Sequence, residues 1–152
     1  MTELLLSSPV GTLWLQEENH ALVKLEFADK KPASPSPPLS PLLREAAEQL
    51  KAYFNGKLKN FTLPLRPRGT PFMLAVWEEL RRIPYGRTAS YKEIALRSGR
   101  PLACRAVGQA NHKNPLAIVI PCHRVIGHNR KLVGYAGGLG IKTALLRLEG
   151  AL

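Results

Sequence analysis

The sequence predicts an α/β protein of the α+β type, in which a small antiparallel-sheet domain with one helix precedes a mainly helical domain. Near the N-terminus apolar residues alternate in the strand period, whereas later apolar residues recur at helical spacing. A proline-rich stretch between Pro64 and Pro71 separates the two patterns. We therefore expect an N-terminal structural domain over residues 1–67 and a C-terminal domain over residues 68–152.

The first predicted elements are two paired strands. Residues 23–27, with the sequence VKLEF, alternate apolar and charged side chains, which is typical of a half-buried strand. Residues 11–15 are the expected hairpin partner. From residue 28 to residue 41 the composition turns to proline and serine, which favours a surface loop.

Two amphipathic helices are predicted next. Ser40 and Pro41 are a typical N-cap and first-turn pair. The apolar stripe of the first helix consists of Leu43, Ala46, Leu50 and Phe54, and the helix is expected to end at Gly56. The stripe of the second helix consists of Met73, Val76, Leu80 and Ile83, before a turn at residues 84–86.

Residues 88–112 are predicted to form a helix-turn-helix. Ser90 and Glu93 make a capping box, and Gly99 can adopt the left-handed conformation that ends a helix. The next helix is expected to begin near Pro101 and to project Arg105. Small residues let its backbone approach another surface closely, and they are Ala103, Ala106, Gly108 and Ala110.

A buried helical hairpin is the alternative interpretation of this region. Basic side chains crowd it, and a pair of core helices would not tolerate them all. They are Lys92, Arg97, Arg100, Arg105 and Lys113. The DNA-binding interpretation is therefore the better one.

The positive charge is confined to the second part of the chain. Residues 1–65 hold seven basic and seven acidic side chains, whereas residues 66–152 hold fifteen basic and four acidic ones. Such a surface attracts phosphate polyanions, because their neutralisation releases condensed counterions. Nucleic acid is the leading partner, while a merely basic surface, ribosome binding and membrane-surface binding stay open on charge alone.

The N-terminus and the cysteines set further expectations. Residues 1–6 lack a basic segment before a short apolar run, and no apolar run is long enough to cross a membrane, so we expect a cytoplasmic protein. Cys104 and Cys122 form no CxxC pair and cannot build a structural zinc site alone. Each is judged as a single thiol, and we interpret Cys104 as a packing residue.

A candidate reactive site follows the apolar residues 116–120, which predict a short buried strand. Directly after it come Pro121, Cys122, His123 and Arg124. A lone cysteine is most often a core residue, but buried histidine and arginine side chains are costly unless hydrogen-bonded. An adjacent imidazole can take the thiol proton, and the resulting thiolate attacks carbon. This cooperation requires a turn, which Pro121 supplies.

Glu149 is the candidate third group that would fix the tautomer of His123. It lies in the last turn of a C-terminal helix that ends at Gly150, where a carboxylate opposes the helix dipole. A solvated glutamate near a terminus is the alternative. The helix is expected to bury Ile141, Ala144, Leu145 and Leu148.

The Pro-Cys-His-Arg segment at residues 121–124 resembles the active-site motif of the O6-alkylguanine-DNA alkyltransferases. The resemblance spans essentially residues 70–150, with several blocks in one order and register. These are residues 105–108, 114–115, 134–138 and 145–150. A Cys-His pair alone would be weak, whereas this set of blocks is highly specific.

The resemblance implies a role for each catalytic candidate. Cys122 would be the nucleophile and alkyl acceptor, with His123 as its base through a bridging water and Glu149 orienting His123. Asn114 resembles the hinge residue that supports the nucleophile's surroundings. Tyr91 matches the tyrosine that crowds a phosphate and can assist the leaving purine.

The resemblance also implies how DNA and substrate are bound. The nucleotide must be extruded from the duplex, and Arg105 matches the finger that fills the vacated position. The recognition helix would enter the minor groove through Ala106 and Gly108, with Tyr91, Lys92 and Arg100 as further DNA contacts. The substrate pocket would include Val125, Tyr135 and Ala136. Ala136 stands where some relatives carry a serine.

The implied function is DNA repair by irreversible, single-turnover transfer of a methyl or larger alkyl group from O6-alkylguanine in double-stranded DNA to Cys122. Some relatives bind zinc in the N-terminal domain, but no cysteine precedes Cys104 here, so we expect no metal. No organic cofactor is needed, because protonation or hydrogen bonding makes the purine a better leaving group. We take a monomer as the default. The alkyl-size range and activity on O4-alkylthymine stay open. The rivals are a non-catalytic alkylated-DNA sensor, a DNA-binding regulator with an inert cysteine and a Cys-His hydrolase.

Overall fold

The computed structural model describes residues 2–29, 39–127, 129, 131–135 and 137–152. The chain divides into two compact units, Met1–Pro67 and Arg68–Leu152. Most of the loop predicted between residues 28 and 41 lies outside the described residues. Within the described ranges, no helix is long and apolar enough to cross a membrane.

The first unit contains a three-stranded antiparallel sheet. The strands are β1 (Thr2–Ser8), β2 (Gly11–Glu18) and β3 (Ala21–Ala28), in that order. Leu15 pairs with Leu25 across β2 and β3, which confirms the predicted hairpin, and a bulge shifts the register at Gln16 and Glu17. The strand β1 was not predicted, because its apolar residues 4–6 run without alternation.

One helix, α1 (Pro41–Phe54), accompanies this sheet. The predicted cap is confirmed, since Ser40 Oγ accepts a hydrogen bond from the backbone N–H of Leu43 at 3.1 Å. The buried face of α1 differs from the predicted stripe at its last residue. Tyr53, rather than Phe54, is fully buried, and the Phe54 ring packs edge-on against the Tyr53 ring. Helical residues 43, 46, 50 and 53 fit the 3.6-residue repeat better than a stripe ending at residue 54.

The second unit is mainly helical. Its helices are α2 (Pro71–Arg81), α3 (Tyr91–Arg97), α4 (Cys104–His112) and α5 (Leu139–Leu148). Two short strands, β4 (Ala89–Ser90) and β5 (Val125–Ile126), pair in parallel. The indole N–H of Trp77 donates to the carbonyl of Ala110 at 2.8 Å, which fastens α2 to α4.

The helix-turn-helix of α3 and α4 matches the prediction except at one boundary. The Ser90–Glu93 capping box is present, and Gly99 has a φ of 80°. However, α4 begins at Cys104 rather than near Pro101. The N–H of Ala103 bonds to the carbonyl of Arg100, so the intervening residues form a turn. Proline at residue 101 begins this turn instead of the helix.

The predicted strand over residues 116–120 is wrong. The segment is buried, as expected, but it consists of turns with one bridging residue, Leu116. The N–H of Ile120 bonds to the carbonyl of Leu116, and Ile118 has a φ of 70°, a conformation that a strand cannot contain. Apolar content predicted the burial, but local hydrogen bonds replace a strand ladder.

The buried face of α5 also differs from the prediction. Leu145 is buried as expected, but Ala144 is exposed. Lys142 and Leu146 are buried in its place. A lysine was not expected on the inner face because its charge is costly to bury without partners.

Candidate active site

The segment after Pro121 forms one turn of 3₁₀ helix, Cys122–Arg124, and all three of its residues are buried. The N–H of Arg124 bonds to the carbonyl of Pro121 at 3.0 Å. The turn that the sequence required at this point is confirmed. A thiol, an imidazole and a guanidinium are therefore held consecutively inside the second unit.

Glu149 joins two of these three groups. Its Oε2 lies 2.7 Å from Nε2 of His123, and both side chains are completely buried. Arg124 donates from Nε to Oε1 at 2.8 Å and from a terminal nitrogen to Oε2 at 3.0 Å. Arg124 also donates to the carbonyl of Ile83 at 2.7 Å. The alternative of a solvated glutamate is therefore wrong.

This arrangement assigns the two nitrogens of His123. Burial lowers the pKa of His123 more than the neighbouring Glu149 raises it, so the ring is neutral near pH 7. Because the carboxylate can only accept, Nε2 carries the proton and Nδ1 carries the free electron pair. Nδ1 is buried and has no hydrogen-bond partner among the described residues. It is the atom that can accept a proton.

Cys122 is held as a neutral thiol. Burial raises its pKa, while hydrogen bonds from the side chains of Asn114 and Tyr135 and the positive charge of Lys142 oppose that shift. Those three groups would stabilise a thiolate as it forms. The site thus protects the thiol at rest and favours its reactive form when a base removes the proton.

Asn114 holds the irregular segment that leads to the cysteine. Its Nδ2 donates to the carbonyl of Ile120 at 2.8 Å, and its Oδ1 accepts from the N–H of Leu116 at 3.0 Å. These bonds bracket Ile118 and its left-handed backbone, a conformation that persists only where its surroundings fix it. The side chain thus contacts both Cys122 and the turns before it.

Lys142 is a member of the site that the sequence did not reveal. Its Nζ donates to the carbonyl of Val125 at 2.6 Å and to that of Val133 at 2.9 Å. Burial lowers its pKa to about 8. One signal was available: Lys142 stands three residues before Leu145 and four before Leu146, on the face that α5 buries.

Asn111 is the second residue of the site that the sequence analysis did not identify. It lies in the last turn of α4, is 4% exposed, and donates from Nδ2 to the carbonyl of Cys122 at 3.3 Å. The helix that carries Arg105 is thereby bonded to the backbone of the thiol residue. Its spacing of four residues from the buried Val107 was the sequence signal.

Tyr91 is a further neighbour of Cys122 and Asn111. Burial raises the pKa of Tyr91, a negative charge on Cys122 would raise it further, and a hydrogen bond to Asn111 lowers it. A raised pKa keeps the hydroxyl protonated near pH 7. Tyr91, Asn111 and Cys122 are therefore electrostatic neighbours.

The predicted pocket residues are only partly described. Tyr135 is a neighbour of Cys122, as its hydrogen bond to the thiolate requires. Val125 is completely buried and contributes its carbonyl to Lys142. Ala136 lies outside the described residues.

The predicted DNA contacts lie on or beside α3 and α4. Lys92, Arg100 and Arg105 are exposed. The guanidinium of Arg100 lies 5.1 Å from the centre of the Phe72 ring. Ala106 is half-buried, and so is Gly108, where a Cβ would lie 3.9 Å from the Tyr91 ring. A Cβ at residue 108 would therefore make only an ordinary van der Waals contact with Tyr91.

Two further observations concern thiols and metals. Cys104 is exposed at the start of α4, so its interpretation as a packing residue is wrong. Within the described residues, no three histidine, cysteine or acidic side chains come together in a group that could hold a metal ion.

Comparison with known families finds two adjoining matches. Residues 1–67 match the family model described as 6-O-methylguanine DNA methyltransferase, ribonuclease-like domain. Residues 71–151 match the model described as 6-O-methylguanine DNA methyltransferase, DNA binding domain.

The matches to similar proteins and to solved structures extend over nearly the whole chain. A methylated-DNA–protein-cysteine methyltransferase of Methanosarcina barkeri is 50% identical over 149 residues, covering 95% of this chain and 94% of its own length. A constitutive enzyme of that name from Bacillus subtilis is 46% identical over 150 residues, covering 93% and 91%. The structure of Mycobacterium tuberculosis OGT in complex with DNA superposes with a TM-score of 0.87 at 46% identity, covering 97% and 91%.

Proposed function

This chain belongs to the 6-O-methylguanine DNA methyltransferase family, and we propose that Cys122 is the residue that receives the alkyl group. The protein repairs DNA as a methylated-DNA–protein-cysteine methyltransferase. One observation carries the assignment of the acceptor. Cys122 and His123 share a buried 3₁₀ turn in which Glu149 binds one ring nitrogen and leaves the other to accept a proton.

The reaction is a displacement at an alkyl carbon. His123 Nδ1 takes the proton of the Cys122 thiol through one bridging water, and the sulfur attacks the carbon attached to O6. As the S–C bond forms, the C–O6 bond breaks and its electron pair stays with the purine. The purine takes up one proton, so the thiol proton balances the departing base. Tyr91, whose hydroxyl stays protonated, donates a hydrogen bond to this leaving group.

The Arg124–Glu149 pair keeps the base in its working tautomer. A carboxylate held by two hydrogen bonds from a guanidinium remains ionised and fixed in orientation. It therefore continues to accept the Nε2 proton of His123. Loss of the pair would let the ring rotate or change its tautomer.

Each molecule acts once, because a thioether on Cys122 has no general route back to a thiol. The alkyl group would also enlarge a buried side chain that contacts Asn114 and lies on a tight turn. Overpacking of this kind typically costs about 1–3 kcal/mol. We therefore expect the alkylated protein to be less stable than the free one.

The protein binds DNA, as a relative of 46% identity does in its solved complex. We propose that α4 enters the minor groove of double-stranded DNA and that the exposed Arg105 fills the position vacated by the flipped O6-alkylguanine. Lys92 and Arg100 would contact phosphates, which suits repair in any sequence context. We propose that it acts as a monomer, in the cytoplasm where its DNA substrate is accessible.

The rival functions fit the site less well. A sensor or a regulator with an inert cysteine needs no base beside its thiol, yet His123 is buried, neutral and oriented. A Cys-His hydrolase needs neither the exposed Arg105 nor a surface of excess positive charge. The relatives named above are methyltransferases, which does not favour these alternatives.

Two single-cysteine variants test the acceptor. Cys122→Ser should retain binding to a duplex with O6-methylguanine and lose all transfer, whereas Cys104→Ser should transfer one methyl group per molecule like the wild type. Transfer is measured with a labelled methyl group and binding by fluorescence anisotropy. Normal transfer by Cys122→Ser would contradict the proposal.

A further inference from the structure

The turn between α2 and β4, residues 83–86, packs against the buried Arg124–Glu149 pair. At its first residue, the carbonyl of Ile83 accepts a hydrogen bond from Arg124 at 2.7 Å. At its last residue, a Cβ on Gly86 would lie 3.1 Å from the backbone carbonyl oxygen of Glu149. Gly86 also has a φ of 79°, a left-handed conformation that favours glycine. The backbone of this turn therefore approaches both members of the pair closely.

Tyr85, inside the turn, contacts the same pair with its side chain. The centre of its ring lies 5.8 Å from Cζ of Arg124, within the range of a cation–π interaction. Its hydroxyl donates a hydrogen bond at 3.4 Å to the carbonyl of Leu148, the residue before Glu149. One side chain thus lies against the guanidinium and is bonded to the backbone that carries the carboxylate.

The surroundings of Tyr85 favour a strong contact with Arg124. Arg124 is 6% exposed, whereas Tyr85 is half-buried, so the tyrosine ring reaches from the surface of the unit to a buried guanidinium. A cation–π interaction is stronger where the cation is shielded from water. Burial and the negative charge of Glu149 raise the pKa of Tyr85, while Arg124 lowers it. Both charges of the pair therefore act on this side chain.

The position of Arg124 determines how Glu149 holds His123. Arg124 donates to both carboxylate oxygens, and Oε2 also lies 2.7 Å from Nε2 of His123. A guanidinium that could move would leave this buried carboxylate with fewer hydrogen bonds and a less fixed orientation. The imidazole needs that orientation to keep Nδ1 free for a proton. A group that restrains Arg124 therefore restrains the base.

We propose that Tyr85 is a positioning residue for the transfer reaction, because its ring holds the guanidinium of Arg124 against Glu149, which in turn fixes His123. This inference rests on the proposed function, since it takes His123 as the base that removes the thiol proton. Tyr85 acts through Arg124 and not on the reacting atoms. The turn between α2 and β4 thus acquires a role in the reaction as well as in the fold.

A loosened Arg124 should make His123 easier to protonate. The charged groups that act on the His123 ring are Glu149 and Lys142 on the side of α5 and Arg124 in its own turn, and Cys122 adjoins it. Burial lowers the pKa of His123 most, and the charges of Arg124 and Lys142 lower it further, whereas Glu149 raises it. When Arg124 moves away and water enters, the first two effects weaken while Glu149 remains. The pKa of His123 then rises, and less neutral base is present at acidic pH.

The test compares pH profiles of methyl transfer in the wild type and two variants. Single-turnover rate constants are measured with a saturating excess of duplex containing O6-methylguanine, so that they do not depend on the folded fraction. Tyr85→Leu keeps apolar bulk but removes the ring. It should move the acidic side of the profile to higher pH by roughly half a unit, the size expected for one cation–π contact. Tyr85→Phe keeps the ring and should keep the wild-type profile.

Two further measurements separate positioning from general stability. Trp14→Leu is the matched control, because the Trp14 ring lies 5.0 Å from Nζ of Lys24 in a cation–π pair of the first unit. This variant should leave the profile unchanged. An NMR titration of the His123 ring makes the same comparison without DNA, and the pKa of His123 should rise in Tyr85→Leu and stay unchanged in the other two variants.

The outcomes distinguish this inference from the function on which it rests. If Tyr85→Leu lowers the rate by the same factor at every pH, Tyr85 only supports the fold and the inference is wrong. A wild-type profile in Tyr85→Leu, or a shift of the same size in Tyr85→Phe or Trp14→Leu, would also overturn it. If the wild type transfers no methyl group from O6-methylguanine, the proposed function itself fails, while the NMR titration still tests whether Tyr85 acts on His123.

Discussion

The buried polar groups of the two units differ in how completely they are satisfied. In the first unit, Gln49 donates to Glu45 and Thr62 and accepts from the N–H of Thr62, and Glu17 accepts from Ser40 and Thr2. Among the described residues of that unit, no buried side-chain polar atom lacks a partner. These bonds fasten α1 and its cap.

The second unit buries more polar and charged side chains, and it leaves some of their atoms available. They are Asn111, His123, Arg124, Lys142 and Glu149. His123 Nδ1 and Asn111 Oδ1 are buried without a partner among the described residues. We propose that buried polar groups stabilise the first unit, whereas in the second unit they also serve the chemistry at Cys122.

The largest expected effect on this difference between the two units comes from Glu149→Gln. The variant leaves the buried Arg124 charge without its carboxylate, which should cost about 3–5 kcal/mol of stability. It should also slow methyl transfer at least about a hundredfold, the usual range for loss of an oriented base. Urea unfolding and single-turnover transfer measure the two effects.

Glu78→Gln is the matched control, because Glu78 forms an exposed ion pair with Arg81 on α2. It should change stability by less than about 1 kcal/mol. A Glu149→Gln variant that behaved like this control would show that the buried cluster does not support the site.

Arg105→Ala should slow methyl transfer from duplex DNA without slowing the reaction of Cys122 with the free alkylated base. If Arg105 replaces the flipped base as proposed, transfer from duplex DNA should fall by roughly ten- to a hundredfold in this variant, because unstacking costs a few kcal/mol. Reaction with the free base O6-methylguanine should be unchanged. Arg147→Ala removes the same charge from an exposed position of α5 and is the control. Equal loss on both substrates would mean that Arg105 supports the fold or the pocket.

The buried charge of Lys142 should appear as a pH dependence of stability. Its pKa falls from 10.5 to about 8 on folding, so the unfolded chain binds more protons between those values. Stability from this group therefore rises with pH. Relative to Lys142→Met, the wild type should gain about 2 kcal/mol of unfolding free energy between pH 8 and pH 10. Parallel profiles of the two proteins would show that Lys142 is not held in the buried, charged state described.

The smallest expected effect belongs to the first unit. Ser40→Ala removes the cap of α1 and should cost about 1 kcal/mol of stability without changing the transfer rate. Thr70→Ala removes the corresponding cap of α2 and is the comparison in the second unit. Ser40→Ala should cost more, because it also removes a partner of Glu17. A loss of transfer in Ser40→Ala would contradict a purely structural role for this cap.

The sequence predicted elements wherever local chemistry decides structure. The Ser40–Pro41 and Ser90–Glu93 caps follow from side-chain hydrogen bonds within four residues, and both are present. The reactive turn at Cys122 follows from Pro121. The motif at residues 121–124 also predicted which family would match.

Prediction from the sequence failed where tertiary contacts determine the local structure. The turns at residues 116–120 depend on Asn114, whose hydrogen bonds replace the ladder that apolar content suggested. Lys142 can be buried because two backbone carbonyls, those of Val125 and Val133, accept hydrogen bonds from its ammonium group. Both residues lie outside α5, so no local sequence pattern predicts these bonds. Asn111 belongs to the site through a bond to the carbonyl of Cys122, which no side-chain pattern encodes.

Peptide-resolved mass spectrometry tests the central claim most directly. The protein is mixed with an equimolar duplex that contains one O6-methylguanine, digested, and examined for added methyl groups on the peptides of Cys122 and Cys104. The account predicts one methyl group on Cys122, none on the exposed Cys104, and loss of one lesion for each protein modified. Tight binding without added mass, or a methyl group on Cys104 instead, would contradict it.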